Sequence, residues 1–228
     1  MKSLSSYIQE KLIIKKSKSN SYKYFPKTKE ELKDIIKKRI KQEGNEVDLN
    51  DIDVSKITDM SYLFEGTDFK GDISSWDISN VTDIQGMFYN CKAFNQDISS
   101  WDVSNVIDMS DLFCGCKAFN QDISSWDVSN VTNMNVMFCG CEAFNQDISN
   151  WDVSNVANMN SMFGWCEDFN QDISNWDVSN VTDMRYMFWK CKEFNQDISG
   201  WDVSNVKKIN NIFDYCSIEE KHKPKFSV

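Results

Sequence analysis

Apolar and polar positions along this chain follow a pattern that returns every 25 residues. One period reads D-I-S-x-W-D-[VI]-S-N-V-x-x-[MI]-x-x-[MLI]-F-x-x-C-x-x-F-N-Q, and tryptophan marks the register at Trp76, Trp101, Trp126, Trp151, Trp176 and Trp201. A fixed period of this length is the mark of a repeat in which each unit buries its apolar face by stacking on its neighbours. Within a unit, the spacing of I-S-x-W-D-V predicts a short parallel strand. Alternation would send Trp and the following Val or Ile inward and the Asp between them outward. The N-V-T-x-M-x-x-M-F-x-x-C stretch spaces its apolar residues by three and four, which predicts a short helix on the opposite side. Phe-Asn-Gln then turns the chain back to the next strand.

The ends depart from this pattern. Residues 1–27 form a polar, basic N-terminal segment, in which Tyr7, Ile8, Leu12, Ile13 and Ile14 could line a short amphipathic helix. In residues 28–46, Thr28 followed by Glu31 is a capping-box signature, and Leu32, Ile35, Ile36 and Ile40 share one helical face before Gly44. This predicts a helix over about 29–43 that covers the open end of the repeats, where core and unpaired edges would otherwise meet water. Residues 47–216 hold the repeats. The first unit is degenerate and one residue short, with Ile52 where later units have Trp. Residues 217–228 form a basic tail.

Charge follows the same division. The net charge of −10 combines basic ends with an acidic middle: 13 Lys and Arg against six Asp and Glu in residues 1–46, seven against 26 in 47–206, and five against three in 207–228. The acidic repeats argue against nucleic acid and anionic lipid as partners and suit a basic partner or divalent cations. No stretch approaches the roughly 18–20 apolar residues of a membrane span. The apolar run near the N-terminus is short and interrupted by Gln9, Glu10 and Lys11, and the first cysteine is Cys91, so neither a signal peptide nor a lipidation cysteine is read.

The combination F-N-Q-D-I-S-x-W-D-V-S-N-V-T with M-F and C resembles the BspA-like leucine-rich repeat family of bacterial surface proteins and mycoplasma-type lipoproteins. The segment Y-F-P-K-T-K-E-E-L-K-D-I-I-K-K from Tyr24 to Lys38 is similar to the leader that precedes such repeats. The likeness covers about residues 24–216. The expected fold class is therefore α/β, a right-handed LRR-like solenoid of about seven 25-residue rungs, each a short parallel strand plus a short helix, with an N-terminal helical cap. The resemblance implies a non-enzymatic scaffold for surface interaction or adhesion, at the cell surface or secreted, with a host- or matrix-derived protein partner. The absence of a readable export signal keeps a cytoplasmic interaction scaffold open as an alternative.

A residue repeated in every unit becomes a ladder, and four ladders bear on chemistry. Trp76, Trp101, Trp126, Trp151, Trp176 and Trp201 are expected to form the main core. Cys91, Cys116, Cys141, Cys166, Cys191 and Cys216 read as buried thiols, because an inward column with no nearby His does not offer a tetrahedral ligand set. The additional Cys114 and Cys139 are open to three readings: surface thiols, a cross-rung disulfide or a soft-metal site. The outward Asp77, Asp102, Asp127, Asp152, Asp177 and Asp202 either bond backbone N–H groups or form a cation ladder, in which case the chain is a structural module binding Ca²⁺. The Asn ladder from Asn80 to Asn205 is expected to satisfy backbone groups at the bend.

One region varies between units. There Trp165, Tyr186, Trp189 and Tyr215 would make an aromatic patch, and aromatic side chains are the usual anchors of protein interfaces. Catalysis is not indicated. The one histidine, His222, lies in the tail, no Gly-rich phosphate loop occurs, and the carboxylates form regular columns instead of one asymmetric cluster. No cofactor is expected.

Overall fold

The computed structural model describes residues 21–227. Helix α1 spans Lys29–Glu43, with Thr28 as N-cap accepting from the Glu31 backbone N–H and Gly44 as C-cap. Its buried Leu32 and Ile36 join the core of the repeats. On the flank, Lys29 reaches Asp59 and Ser61, and Lys33 donates to the Tyr62 carbonyl. The amphipathic segment read around Tyr7–Ile14 lies outside the described residues.

The repeats do not form the expected α/β solenoid of parallel strands and helices. Among the described residues, α1 is the only α-helix, a single 3₁₀ turn occurs at Glu220–His222, and no extended strand is present. Extended pairing is limited to isolated parallel bridges. One set runs Asp59, Asp83, Asp108, Asn133, Asn158, Asp183 and Lys208, and these residues define units 1 to 7.

In place of strand and helix, each unit is a chain of tight turns. In unit 4 the backbone bonds Trp126 to Ile123, Val131 to Val128, Met137 to Met134, Cys139 to Val136, Cys141 to Phe138 and Phe144 to Cys141, all N–H to C=O at 2.8–3.3 Å. Each closes a three-residue step. Such steps bring side chains inward at spacings of three, the same spacing that one face of a helix would show. The apolar rhythm is therefore satisfied without any i→i+4 bond.

Two local features exclude the regular elements. D-I-S and D-V-S are Asx turns: Asp122 accepts from the Ser124 N–H and Asp127 from the Ser129 N–H, which bends the chain where a strand would have to run straight. Across the unit, two columns hold left-handed backbone. One runs Tyr62, Gly86, Asp111, Val136, Ser161, Tyr186 and Asn211; the other runs Gly66, Asn90, Gly115, Gly140, Trp165, Lys190 and Tyr215. A left-handed residue cannot continue a right-handed helix.

Stacking is carried by hydrogen bonds one unit apart. Alternate N–H groups of each unit donate to the next, as in Met134 to Asn158, Val136 to Asn160, Phe138 to Met162 and Gly140 to Gly164, at 2.7–3.0 Å. Side chains add further ladders. Asn130 Nδ2 donates to the Ser104 carbonyl. Asn120 Oδ1 accepts from both the Asn145 backbone and Gln146 Nε2.

Two phenylalanines of the repeat dominate the interior: the one of M-F, expected on the apolar face, and the one of F-N-Q, expected to turn the chain. Phe64, Phe88, Phe113, Phe138, Phe163, Phe188 and Phe213 stack at 5.5–5.8 Å between ring centroids, nearly parallel. Phe94, Phe119, Phe144, Phe169 and Phe194 form a second column at 5.8–6.1 Å. The two columns meet within each unit, at 4.2 Å for Phe138 and Phe144. Beyond unit 7, Ile218 and Pro224 are buried and Lys223 lies over the Phe213 ring.

Candidate functional site

The left-handed positions matter beyond the backbone, because they aim side chains out of the stack. In the second column, units 1, 3 and 4 place Gly66, Gly115 and Gly140 there, the residue that adopts positive φ without steric cost. Units 5 to 7 place Trp165, Lys190 and Tyr215 at φ 59–62°. Tyr186 takes a left-handed position in the first column, at φ 57°.

These residues converge. The Trp165 and Trp189 rings meet edge-on at 5.1 Å between centroids, and Tyr186 packs edge-on to Trp189 at 6.0 Å. The Lys190 ammonium lies 3.5 Å from the Trp165 ring centroid, 4.6 Å from that of Trp189 and 5.8 Å from that of Tyr215. All four aromatic candidates thus share one surface around a cation, the Lys190 ammonium, which the sequence pattern did not single out. Trp165 is 37% exposed, Tyr186 39% and Tyr215 76%. The backbone beneath is fixed by unit-to-unit bonds, Trp165 N–H to Trp189 carbonyl and Lys190 N–H to Asp214 carbonyl, at 2.7 and 2.9 Å.

Beside the cluster, Asp183 is 5% exposed and takes a bidentate bond from Arg185 and a third bond from Lys208. Burial opposes its charge, but the bonds from Arg185 and Lys208 prevail and hold its carboxyl down at about 2.

The other candidate residues sit elsewhere. The six repeat tryptophans, Trp76, Trp101, Trp126, Trp151, Trp176 and Trp201, are 3–6% exposed, and each indole N–H donates to a carbonyl of the preceding unit. Asp102, Asp127, Asp152, Asp177 and Asp202 are exposed and Asp77 is half-buried. All six carboxylates accept from the backbone N–H two residues on. The bonds from Ser129, Ser179 and Ser204 hold Asp127, Asp177 and Asp202 below the ordinary aspartate range. Among the described residues, no three His, Cys, Asp or Glu side chains converge to hold a metal ion, and no helix is long and apolar enough to cross a membrane.

The repeated unit also places the chain among known sequences. The family model described as "Mycoplasma protein of unknown function, DUF285" matches residues 31–138 and again 115–225. The chain belongs to the DUF285 family. No curated protein and no solved structure is significantly similar to it. The two overlapping DUF285 matches cover most of α1 and the whole aromatic cluster.

Proposed function

We propose that this chain is a non-enzymatic protein-binding scaffold whose contact surface is the Trp165–Tyr186–Trp189–Tyr215 cluster. One observation carries this reading. Three large, exposed aromatic side chains and Lys190 occupy left-handed positions, two columns of which accept glycine in other units. Left-handed backbone costs a non-glycine residue roughly 1–2 kcal/mol. The stack imposes that conformation in every unit, and here it turns large aromatic side chains outward, where Trp and Tyr anchor interfaces. The resemblance of the repeat to BspA-like surface proteins supports surface interaction or adhesion with a host- or matrix-derived protein.

The test is site-directed photo-cross-linking in the native cells, with and without added host matrix proteins. A photoreactive phenylalanine at Tyr215 is expected to give discrete protein adducts that disappear when Trp165→Ala is added. The same group at Asp152, on the aspartate face, is expected to give none. No adduct from position 215, or the same adducts from both positions, would remove the assignment.

A further inference from the structure

Six of the eight cysteines are explained by packing. Cys91, Cys116, Cys141, Cys166 and Cys191 are fully buried and donate their thiol hydrogens to Phe carbonyls one unit back, at 2.9–3.0 Å. Cys216 makes a longer bond to the Phe194 carbonyl, at 3.6 Å. Cys114 and Cys139 are different. They are half-buried, and their thiols interact across the boundary between units 3 and 4.

The backbone puts the two residues in register. The Gly115 N–H donates to the Cys139 carbonyl at 2.7 Å, so the peptide that follows Cys114 lies against Cys139 itself. Paired neighbouring chains run about 4.8 Å apart, inside the Cα separation of roughly 4.4–6.8 Å that a disulfide spans. Each cysteine is followed by a left-handed glycine, Gly115 or Gly140, where most other units carry a larger residue. Glycine gives the backbone freedom to adjust as the sulfurs close. The next residue in the same column, Gly164, has no side chain to crowd Cys139.

We propose that Cys114 and Cys139 form a dithiol site that converts to a disulfide, joining units 3 and 4, by exchange with a low-molecular-weight disulfide. One of the two thiolates attacks one sulfur of the small disulfide, that S–S bond breaks, and one small thiolate leaves. The other cysteine gives its proton to the departing thiolate and attacks the protein sulfur of the mixed disulfide, and the second small thiolate leaves and is protonated by water. Two protein thiols and one small disulfide become one protein disulfide and two small thiols. Burial pushes the five core thiols up, which keeps them unreactive.

The test uses the folded full chain with oxidised glutathione as the probe. Free thiols are then alkylated, and the unreduced digest is analysed by mass spectrometry. The expected product is a Cys114–Cys139 link, two hydrogens lighter than the dithiol, with the five core cysteines neither linked nor alkylated until denaturant is added. Cys114→Ser is expected to stop at a glutathione adduct on Cys139, and Cys139→Ser at one on Cys114. A wild-type chain that forms no such link, or that links core cysteines equally, would overturn the site. Core protection in each variant reports that it remains folded.

Discussion

The Trp126 indole N–H donates to the carbonyl oxygen of Ile98, 3.1 Å away in the preceding unit. The same carbonyl takes the Trp101 backbone N–H at 3.2 Å. One tryptophan therefore fills the core and ties two units together. Trp126→Phe removes the tie and should cost about 1 kcal/mol, the net worth of one hydrogen bond. Trp126→Ala also opens a cavity and should cost about 3–5 kcal/mol. Urea unfolding of both variants checks the ranking. Trp126→Phe as stable as wild type would mean that the bond contributes nothing, and equal losses would mean that the cavity adds nothing.

The phenylalanine columns make a prediction about position. Phe138 has ring neighbours on both sides, Phe113 and Phe163 at 5.7 Å, and Phe144 at 4.2 Å. Phe213 stacks on Phe188 alone and is only half-buried. Phe138→Ala should lose about 3–5 kcal/mol, and Phe213→Ala less than half of that. Chemical denaturation of the pair measures the difference.

Val136 is a β-branched residue at φ 61°, in the column where unit 2 places Gly86. Val136→Gly should raise stability by about 1 kcal/mol, because left-handed strain outweighs the flexibility that glycine adds to the unfolded chain. The converse, Gly115→Ala, should destabilise, since a β-carbon there would lie 2.4 Å from Asn90 Oδ1. Melting temperatures of the two variants should move in opposite directions.

Acid should weaken the fold through its aspartates. Ser N–H and hydroxyl groups hold Asp97, Asp122, Asp127, Asp147, Asp172 and Asp177 below their ordinary value of 3.8. A carboxyl depressed by folding stabilises the fold above its unfolded value and loses that contribution as pH falls through its folded value. The melting temperature should therefore hold near neutrality and fall below about pH 4. Asp183, held at about 2, extends the fall to lower pH and accounts for on the order of 2 kcal/mol. Asp183→Asn should lower stability at neutral pH and flatten the acid limb. A limb unchanged from wild type would show that Arg185 and Lys208 do not hold that charge.

Millimolar calcium at matched ionic strength should leave the melting temperature unchanged. The repeated aspartates already accept from their own turns, and the described residues bring no three metal-ligating side chains together. An upward shift would give the cation reading of Asp77 to Asp202 its first support.

What was legible in the sequence was the period, the inward set and α1. Thr28, Glu31 and Gly44 are local signals, and local signals carry their own geometry. The strand and helix within each unit failed for a physical reason. Spacings of three arise equally from successive turns, so periodicity alone does not separate turns from helix. The deciding signals were present: D-x-S occurs twice per unit, and each Asp and Ser side chain competes for the backbone bonds a strand needs. Left-handed backbone at Val136, Trp165 or Tyr186 left no such trace, because stacking on neighbouring units imposes it against intrinsic preference. The aromatic candidates were visible as departures from the repeat. Their convergence on Lys190 was not, because it depends on which way those strained positions point.

Because successive units meet through the same bonds, copy number acts as a ruler. Removing or duplicating one 25-residue copy by recombination between near-identical segments would preserve the backbone bonds between units, and would slide the aromatic cluster toward or away from α1 in steps of about 4.8 Å. Reach can therefore evolve in whole increments while the chemistry at the tip stays constant.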